Sequence, residues 1–392
     1  MHSRRSGSPN MDPLQAMRRM DFPYCVHEAL KKLDQIVHQE PTRLRPIQPF
    51  VQLLINEFII FDGTGNSKFR RNLNNVQNLQ LLEVLGDYFS LPNSEAARVM
   101  DPPVMVLFQP VPGPEGAAGR RVSLLCRLVS LAVSTRNSQV LSCAGAWLLQ
   151  QGCTSAAALR LAESLLEDHL LPLPPPPSDS GEETPDPPAA DSLPELAPLF
   201  TAGLLTALTH LYRDLRSRPP PPELISQVLR WLESSPSLPL VPLSGTGPVP
   251  LPSSAPPPAA ACPAAGLMTW SVLSAAVGPS QTVKGNDQMA RLHLLLLTCL
   301  LEVPRLRPQS GGRPALLTHG QLTRLVTALE AAGLGADQPP APHHQLALDR
   351  MAQLFQVALA VEGLGHNKRE SLQQLSRLRQ TPLIRIVLQH NS

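Results

Sequence analysis

The sequence is poor in aromatic and charged residues, which make up 4% and 16% of its 392 positions, and its net charge is only +2. This balance argues against a general polyanion-binding protein. Six cysteines are too few for a disulfide framework in a chain of this length and favour a reducing compartment. The strongest apolar run, Leu294 to Leu301, is far shorter than the roughly 18 residues that a membrane span requires. We therefore expect a soluble intracellular protein.

Signatures of catalysis and of cofactor binding are also missing from the sequence. The segment Asp62 to Asn66 holds a lone GxG pattern after a predicted helix, without the following GK[ST] that would hold phosphate and Mg²⁺. No CxxC, HxxxH or HExxH pair offers closely spaced metal ligands, and no GxSxG turn offers a nucleophile. We expect no enzymatic activity, no cofactor and no metal.

Proline, in contrast, is abundant, with 44 residues that cluster between apolar segments. Such clusters cannot bury enough apolar surface to offset the entropy of ordering them, and they lack backbone donors. A third, shorter break lies at Pro304 to Thr318. The clusters predict six segments. These are a flexible N-terminus (residues 1–20), an N-terminal helical domain (21–171), an acidic proline-rich linker (172–194), a helical hairpin (195–233), a second proline-rich linker (234–265) and a C-terminal helical region (266–392).

Between these breaks, apolar residues recur three or four positions apart, which is the pattern of amphipathic helices. The pattern first occurs at about Pro23 and last occurs in the segment from Lys368 to Arg379. The segment from Pro382 to Leu388 is compatible with either a short strand or a final helical turn. We predict an all-α protein built as an irregular array of helical hairpins, like an α-solenoid or an armadillo or HEAT array, interrupted by the proline-rich linkers. No fixed repeat period is present, so an irregular bundle remains an alternative.

The C-terminal helices are the predicted contact surface for a partner protein, because a long apolar stripe is followed there by basic residues that suit an acidic partner. Basic pairs elsewhere, such as Arg70-Arg71, are dispersed and lack stacking aromatics, so they predict solvated helix faces and not RNA contact. Trp147 and Trp231 lie in apolar stripes typical of core positions. The predicted partner-binding residues are Arg350, Phe355, Lys368, Arg369, Arg377, Arg379 and Arg385.

Several helical blocks in one order resemble the Integrator complex subunit 15 family. The resemblance extends over about residues 25 to 388 and depends on the order of the blocks, because none of them is a chemical motif. The acidic insertion after Leu171 and the proline-rich stretch from Ser234 depart from the family pattern. The blocks include LNNVQNLQLLEVLGDYF (Leu73 to Phe89), RVSLLCRLVSLAVSTRNSQVLSCAGAWLLQQ (Arg121 to Gln151), PPELISQVLRWLESSP (Pro221 to Pro236), ARLHLLLLTCLLEV (Ala290 to Val303) and LDRMAQLFQVALAVEGL (Leu348 to Leu364).

The resemblance implies a non-catalytic scaffold in the nucleus. Its implied partners are other Integrator subunits, namely the arm of subunits ten, thirteen and fourteen and the body of the complex, and indirectly RNA polymerase II. The implied role is to support 3′-end processing of small nuclear RNA and transcription termination. A cytoplasmic helical adaptor, for example in vesicle trafficking, would share the same composition and is the alternative interpretation.

We expect limited proteolysis of the native protein to cut first between Leu171 and Pro194 and between Ser234 and Ala265. Proline-rich segments without helical periodicity leave their backbone accessible to a protease. Mass spectrometry of the first fragments would locate the cuts. A first cut inside one of the predicted helices would contradict the division of the chain.

Overall fold

Helices form all the regular secondary structure in the part of the chain that the structure describes, which confirms the all-α prediction. Two isolated backbone bridges, Leu317 with Leu364 and Gly335 with Leu378, join loops between helices. The segment Pro382 to Leu388, left open between strand and helix, is part of a helix. This computed structural model describes residues 13–39, 49–61, 73–90, 107–108, 115–171, 189–243, 262–276, 283–302, 316–335, 342–364 and 367–391.

The chain divides into two compact units, Met1–Ala132 and Val133–Ser392. Residues 133–171, which the sequence placed with an N-terminal domain, therefore pack with the second unit. The first unit holds α1 (Pro13–Arg18), α2 (Tyr24–Gln39), α3 (Pro49–Phe58), α4 (Asn75–Ser90) and most of α5 (Glu115–Ser134).

The second unit contains eleven α-helices among its described residues, and several of them are extended by short turns of another type. They are α6 (Ser138–Gln151), α7 (Ala156–Leu165) with a π turn (Leu166–Leu170), α8 (Leu193–Leu196), α9 (Pro198–Leu211), α10 (Pro222–Ser234), a 3₁₀ turn (Leu238–Leu243), α11 (Pro263–Ala276), α12 (Val283–Leu300), α13 (His319–Leu329) with a π turn (Glu330–Leu334), α14 (Pro342–Ala360), α15 (Lys368–Ser376) and α16 (Pro382–Asn391).

In the first unit, α2 packs against α1, α3 and α4 through a core that includes Leu33, Leu54 and Leu85. Two polar contacts support this core. Arg18 donates two hydrogen bonds to the carboxylate of Glu57, from Nε at 2.7 Å and from Nη2 at 2.9 Å. Bidentate pairing of this kind fixes geometry as well as charge, so it joins α1 to α3.

In the second unit, α9 and α11 are buried on nearly all sides. Every residue from Phe200 to Thr209 is buried, because this stretch is apolar or small all round, and such a helix has no face for water. Helix α9 packs against α6, α7, α8, α11 and the 3₁₀ turn, while α11 packs against α12, α13 and α14 as well. Packing in this unit is thus not limited to consecutive hairpins, as it would be in a solenoid.

Small residues let the helices around α9 approach closely. A Cβ atom on Gly145 of α6 would lie 2.9 Å from the backbone nitrogen and 3.0 Å from the Cα of Phe200 in α9. A Cβ on Gly203 would meet Leu148 at 3.2 Å, and one on Gly266 of α11 would overlap the Thr209 side chain. A side chain at position 145 would thus collide with backbone and one at 266 with the Thr209 side chain, while at Gly203 the contact with Leu148 is tight.

Ordered structure extends into both predicted linkers. At the end of the first, the indole Nε1 of the buried Trp231 donates to the Ala190 carbonyl at 2.8 Å, and Asp191 accepts from Gln227 at 2.8 Å. In the second, the 3₁₀ turn is buried and the Cys262 thiol donates to the Pro239 carbonyl at 2.8 Å. Residues 172–188 and 244–261 lie outside the described residues, so for these two ranges the linker assignment stays a prediction. The GxG segment at residues 62–66 also lies outside the described residues.

We expect the substitution Gly145→Ala to destabilise the protein by about 1 to 3 kcal/mol, because the added methyl group meets the backbone of Phe200, which cannot rotate away as a side chain can. Thermal unfolding followed by circular dichroism would measure the loss.

Gly86→Ala is the matched control, because a Cβ there meets nothing within 4 Å and alanine gains helix propensity of roughly 0.5 to 1 kcal/mol inside α4. If both substitutions had the same effect, the close approach of α6 and α9 would not constrain the fold.

Candidate partner-binding surface

The predicted contact surface is built by α15 and α16, which pack against each other, while α16 also packs on α14. Both helices are anchored by one apolar face, with Leu375, Leu378, Ile384 and Val387 all buried in the core of the second unit. The segment between the two helices is held by its backbone, since the Arg379 amide donates to the Leu334 carbonyl at 3.0 Å. The opposite faces of both helices are left to solvent.

Local sequence signals fix where these two helices begin. The side chain of Asn367 accepts a hydrogen bond from the Arg369 amide at 3.0 Å, which makes Asn367 the N-cap of α15. Thr381 accepts from the Ile384 amide at 3.3 Å ahead of Pro382, a residue suited to the first helical position. The hairpin is therefore specified by its own caps as well as by the core.

Two of the predicted partner residues lie in the interior. Phe355 on α14 is 1% exposed and belongs to the apolar core, and Arg350 is 6% exposed. The Arg350 guanidinium donates from Nη1 to the Ser271 carbonyl of α11 at 2.7 Å and lies 3.4 Å from the Ser274 hydroxyl. Burial lowers the pKa of Arg350. Arg350 thus joins α14 to α11, and neither side chain contributes to the exposed surface.

Next to Arg350, α12 and α14 are joined by a buried histidine. His293 Nε2 is 2.8 Å from Gln353 Oε1, and burial lowers the pKa of the imidazole. The positive charge of Arg350 lowers that pKa further, while the hydrogen bond to Gln353 raises it. A depressed pKa keeps His293 neutral in the folded state, so its contribution to stability falls as the pH drops through the pKa of the unfolded chain.

Arg377 is exposed but already has an acidic partner within the chain. Its Nε and Nη2 donate to the two carboxylate oxygens of Glu330, at 2.9 and 2.6 Å, and its Nη1 donates to Gln374 at 2.9 Å. The pair joins the end of α15 to the π turn after α13. An exposed pair of this kind is worth about 0 to 1 kcal/mol, so its main effect is to orient Arg377.

The other four predicted residues, Lys368, Arg369, Arg379 and Arg385, have side chains without an acidic partner among the described residues. Arg379 is half-buried and the other three are exposed. Sequence reasoning missed Leu383 and Ile386, which lie on the solvent side of α16. Their spacing of three residues, offset from the buried Ile384 and Val387, is the signal that would have found them.

Other kinds of site find little support in the described part of the chain. It contains no cluster of three or more His, Cys, Asp or Glu side chains that could hold a metal ion. No described helix combines the length and apolarity needed to cross a membrane. Burial raises the pKa of the Cys153 and Cys262 thiols to about 12, which keeps them protonated and unreactive.

The structure thus defines an all-helical protein in the part of the chain that it describes. Comparison with known sequences gives its family, since the model for Integrator complex subunit 15 matches residues 12–380. The chain therefore belongs to the Integrator complex subunit 15 family, which confirms the resemblance seen in the helical blocks.

Three relatives carry the name Integrator complex subunit 15. The *Drosophila melanogaster* protein is 28% identical over 367 residues, which cover 88% of this chain and 87% of the fly protein. The *Danio rerio* protein is 29% identical over 362 residues, covering 86% and 70% of the two chains. The *Homo sapiens* protein is 27% identical over 373 residues, covering 86% and 76%.

We expect Phe355→Ala to lower the free energy of unfolding by about 3 to 5 kcal/mol, because it empties a buried aromatic site between core helices. Arg369→Ala, on the exposed side of α15, should change it by less than about 0.5 kcal/mol. Chemical denaturation of the two purified variants would separate the roles. Equal stability of both variants would contradict the assignment of Phe355 to the core.

Proposed function

We propose that the chain is a non-catalytic connector subunit of the nuclear Integrator complex. The observation that carries this proposal is the family match over residues 12–380, in a protein whose relatives are named as subunits of that complex. The match includes α1 to α15, so the similarity extends over nearly all described helices and is not confined to one motif. A subunit that acts only by binding other subunits requires a complementary surface and no reactive group.

In this role, the second unit presents its helices to other Integrator subunits, namely the arm formed by subunits ten, thirteen and fourteen and the body of the complex. RNA polymerase II is then an indirect partner. The chain would support 3′-end processing of small nuclear RNA and transcription termination by holding the catalytic subunits in place. The exposed faces of α15 and α16 are the proposed contact surface, with Lys368, Arg369, Arg377, Arg379 and Arg385 at its centre.

Direct RNA binding is not part of the proposal. Residues 367–391 contain no Phe, Tyr or Trp, so the basic side chains of α15 and α16 lack within this segment the large aromatic platforms on which single-stranded RNA stacks. Phosphate contacts alone would also weaken steeply with salt. Protein contacts through apolar side chains should persist.

The test is purification of the tagged full-length chain from nuclear extract after nuclease treatment, at low and at raised salt. We expect Integrator subunits to co-purify under both conditions, and we expect depletion of the chain to raise the level of unprocessed small nuclear RNA. Loss of all partners after nuclease treatment would indicate association through RNA. Recovery of cytoplasmic coat or tethering proteins alone would contradict the proposal and favour the trafficking adaptor.

The design of this test uses substitutions and not truncation. Removing residues 345–392 would delete α15, α16 and most of α14, and with them the buried side chains of Leu348 and Phe355. Such a truncation would expose the core of the second unit, so a loss of binding could not be assigned to the surface. Substitution of exposed residues keeps the fold and changes only the contact.

A further inference from the structure

We propose that the outward face of α16 binds an acidic amphipathic helix of a partner protein. The proposal rests on the proposed function in one respect, namely that the chain acts within a protein complex. It adds the chemistry of the partner, because this hairpin carries both exposed aliphatic side chains and cations that have no ion pair among the described residues.

The apolar part of the surface consists of Leu383 and Ile386, which are 37% and 48% exposed. The two residues are three positions apart, so their side chains are neighbours on one side of the helix. Ile384 and Val387 of the same helix are buried in the core of the second unit. Helix α16 is therefore anchored independently of the two exposed side chains, which remain free to contact a partner helix through its own i, i+3 and i+4 positions.

The charge of the same hairpin indicates an acidic partner. Residues 367–391 carry five lysine and arginine residues against the single carboxylate of Glu370, while the whole chain has a net charge of only +2. Of these cations, Arg377 is paired with Glu330, and the side chains of Lys368, Arg369, Arg379 and Arg385 find no ion pair within the described residues. A row of glutamate or aspartate side chains on a partner would supply the missing counter-charges.

The positions of the cations within their helices strengthen this inference. Lys368 and Arg369 lie in the first turn of α15, and Arg385 lies in the first turn of α16. A cation near a helix N-terminus opposes the helix dipole, with an effect of about 0.3 to 1 kcal/mol at each site. These cations therefore do not serve the stability of their own helices, and an acidic partner would offset the unfavourable interaction.

Other exposed aliphatic pairs lack this combination. Leu294 on α12 and Leu301 directly after this helix are exposed, but no charged residue lies between Arg291 and Glu302, and Arg291 is paired with Glu233. On α4, the exposed Val76 and Leu79 are followed by the carboxylates of Glu83 and Asp87. Of these three surfaces, the α15–α16 hairpin is thus the one that suits an acidic amphipathic helix.

The test places a photoreactive amino acid at Gln389, which is exposed on α16 one turn after Arg385, in the full-length tagged chain expressed in cells. Irradiation, purification and mass spectrometry then identify the crosslinked segment. The same photoreactive residue at Ser142, which is exposed on α6, is the control for random contact. We expect a crosslink from position 389 to a segment with aliphatic residues three and four apart and with an excess of glutamate and aspartate.

Substitutions then test which side chains hold the partner. Arg385→Glu and the pair Leu383→Ser with Ile386→Ser should each lower the crosslink yield about fivefold or more, the effect of losing more than about 1 kcal/mol of binding energy. Arg160→Glu, which reverses an exposed cation on α7, is the matched control and should leave the yield unchanged. Changing an acidic residue of the identified segment to arginine should restore the crosslink to the Arg385→Glu variant.

Arg385 is exposed, so the melting temperature of the Arg385→Glu variant should match that of the unsubstituted chain. This variant therefore tests the contact even if the serine pair lowers the melting temperature, because Leu383 is only 37% exposed. A crosslink to RNA, to a second copy of the chain or to a segment without net negative charge would overturn the proposal. A crosslink yield at position 389 no higher than that of the control at Ser142 would also overturn it. If Integrator subunits still co-purify in that case, only the docking proposal fails. If an acidic helix is crosslinked but no Integrator subunit co-purifies, only the proposed function fails.

Discussion

Burial of α9 and α11 is the constraint on which the second unit depends. Neither helix offers a polar face to water, so each must be covered on all sides, and each buried leucine or phenylalanine contributes about 1.5 to 3 kcal/mol when it is covered. This requirement draws α6 and α7 to α9, and α14 to α11. Helices distant in sequence thus become neighbours, and the hairpin α15–α16 acquires its position through α14.

Close packing around these helices also explains where small and polar side chains stand. Gly145, Gly203 and Gly266 lie at crossings where a Cβ atom would meet a neighbouring helix. Some polar groups within the core are satisfied by backbone carbonyls, as with Trp270, whose Nε1 donates to the Tyr212 carbonyl at 3.1 Å. Arg350 follows the same rule, and this is the reason that a charged residue can be part of the interior.

The candidate site depends on the separation of buried and exposed side chains on α16. Ile384 and Val387 attach the helix, while Leu383, Arg385 and Ile386 face away from the unit. The helix is thereby presented as a rigid element and not as a loop, which reduces the entropy that a partner must overcome on binding. A connector in a large complex benefits from such a surface, since its geometry is set before the partner arrives.

The sequence by itself determined that the chain is helical, where most helices lie and to which family it belongs, because apolar periodicity and the order of helical blocks are local properties of the chain. It also identified Trp147 and Trp231 as core residues. It did not reveal the boundary at residues 132 and 133, since that division depends on which helices cover α9. Nor could it show that Phe355 and Arg350 are buried while Leu383 and Ile386 are exposed. An amphipathic helix shows which residues share a face, but only the packing of neighbouring helices decides whether that face meets the core or the solvent.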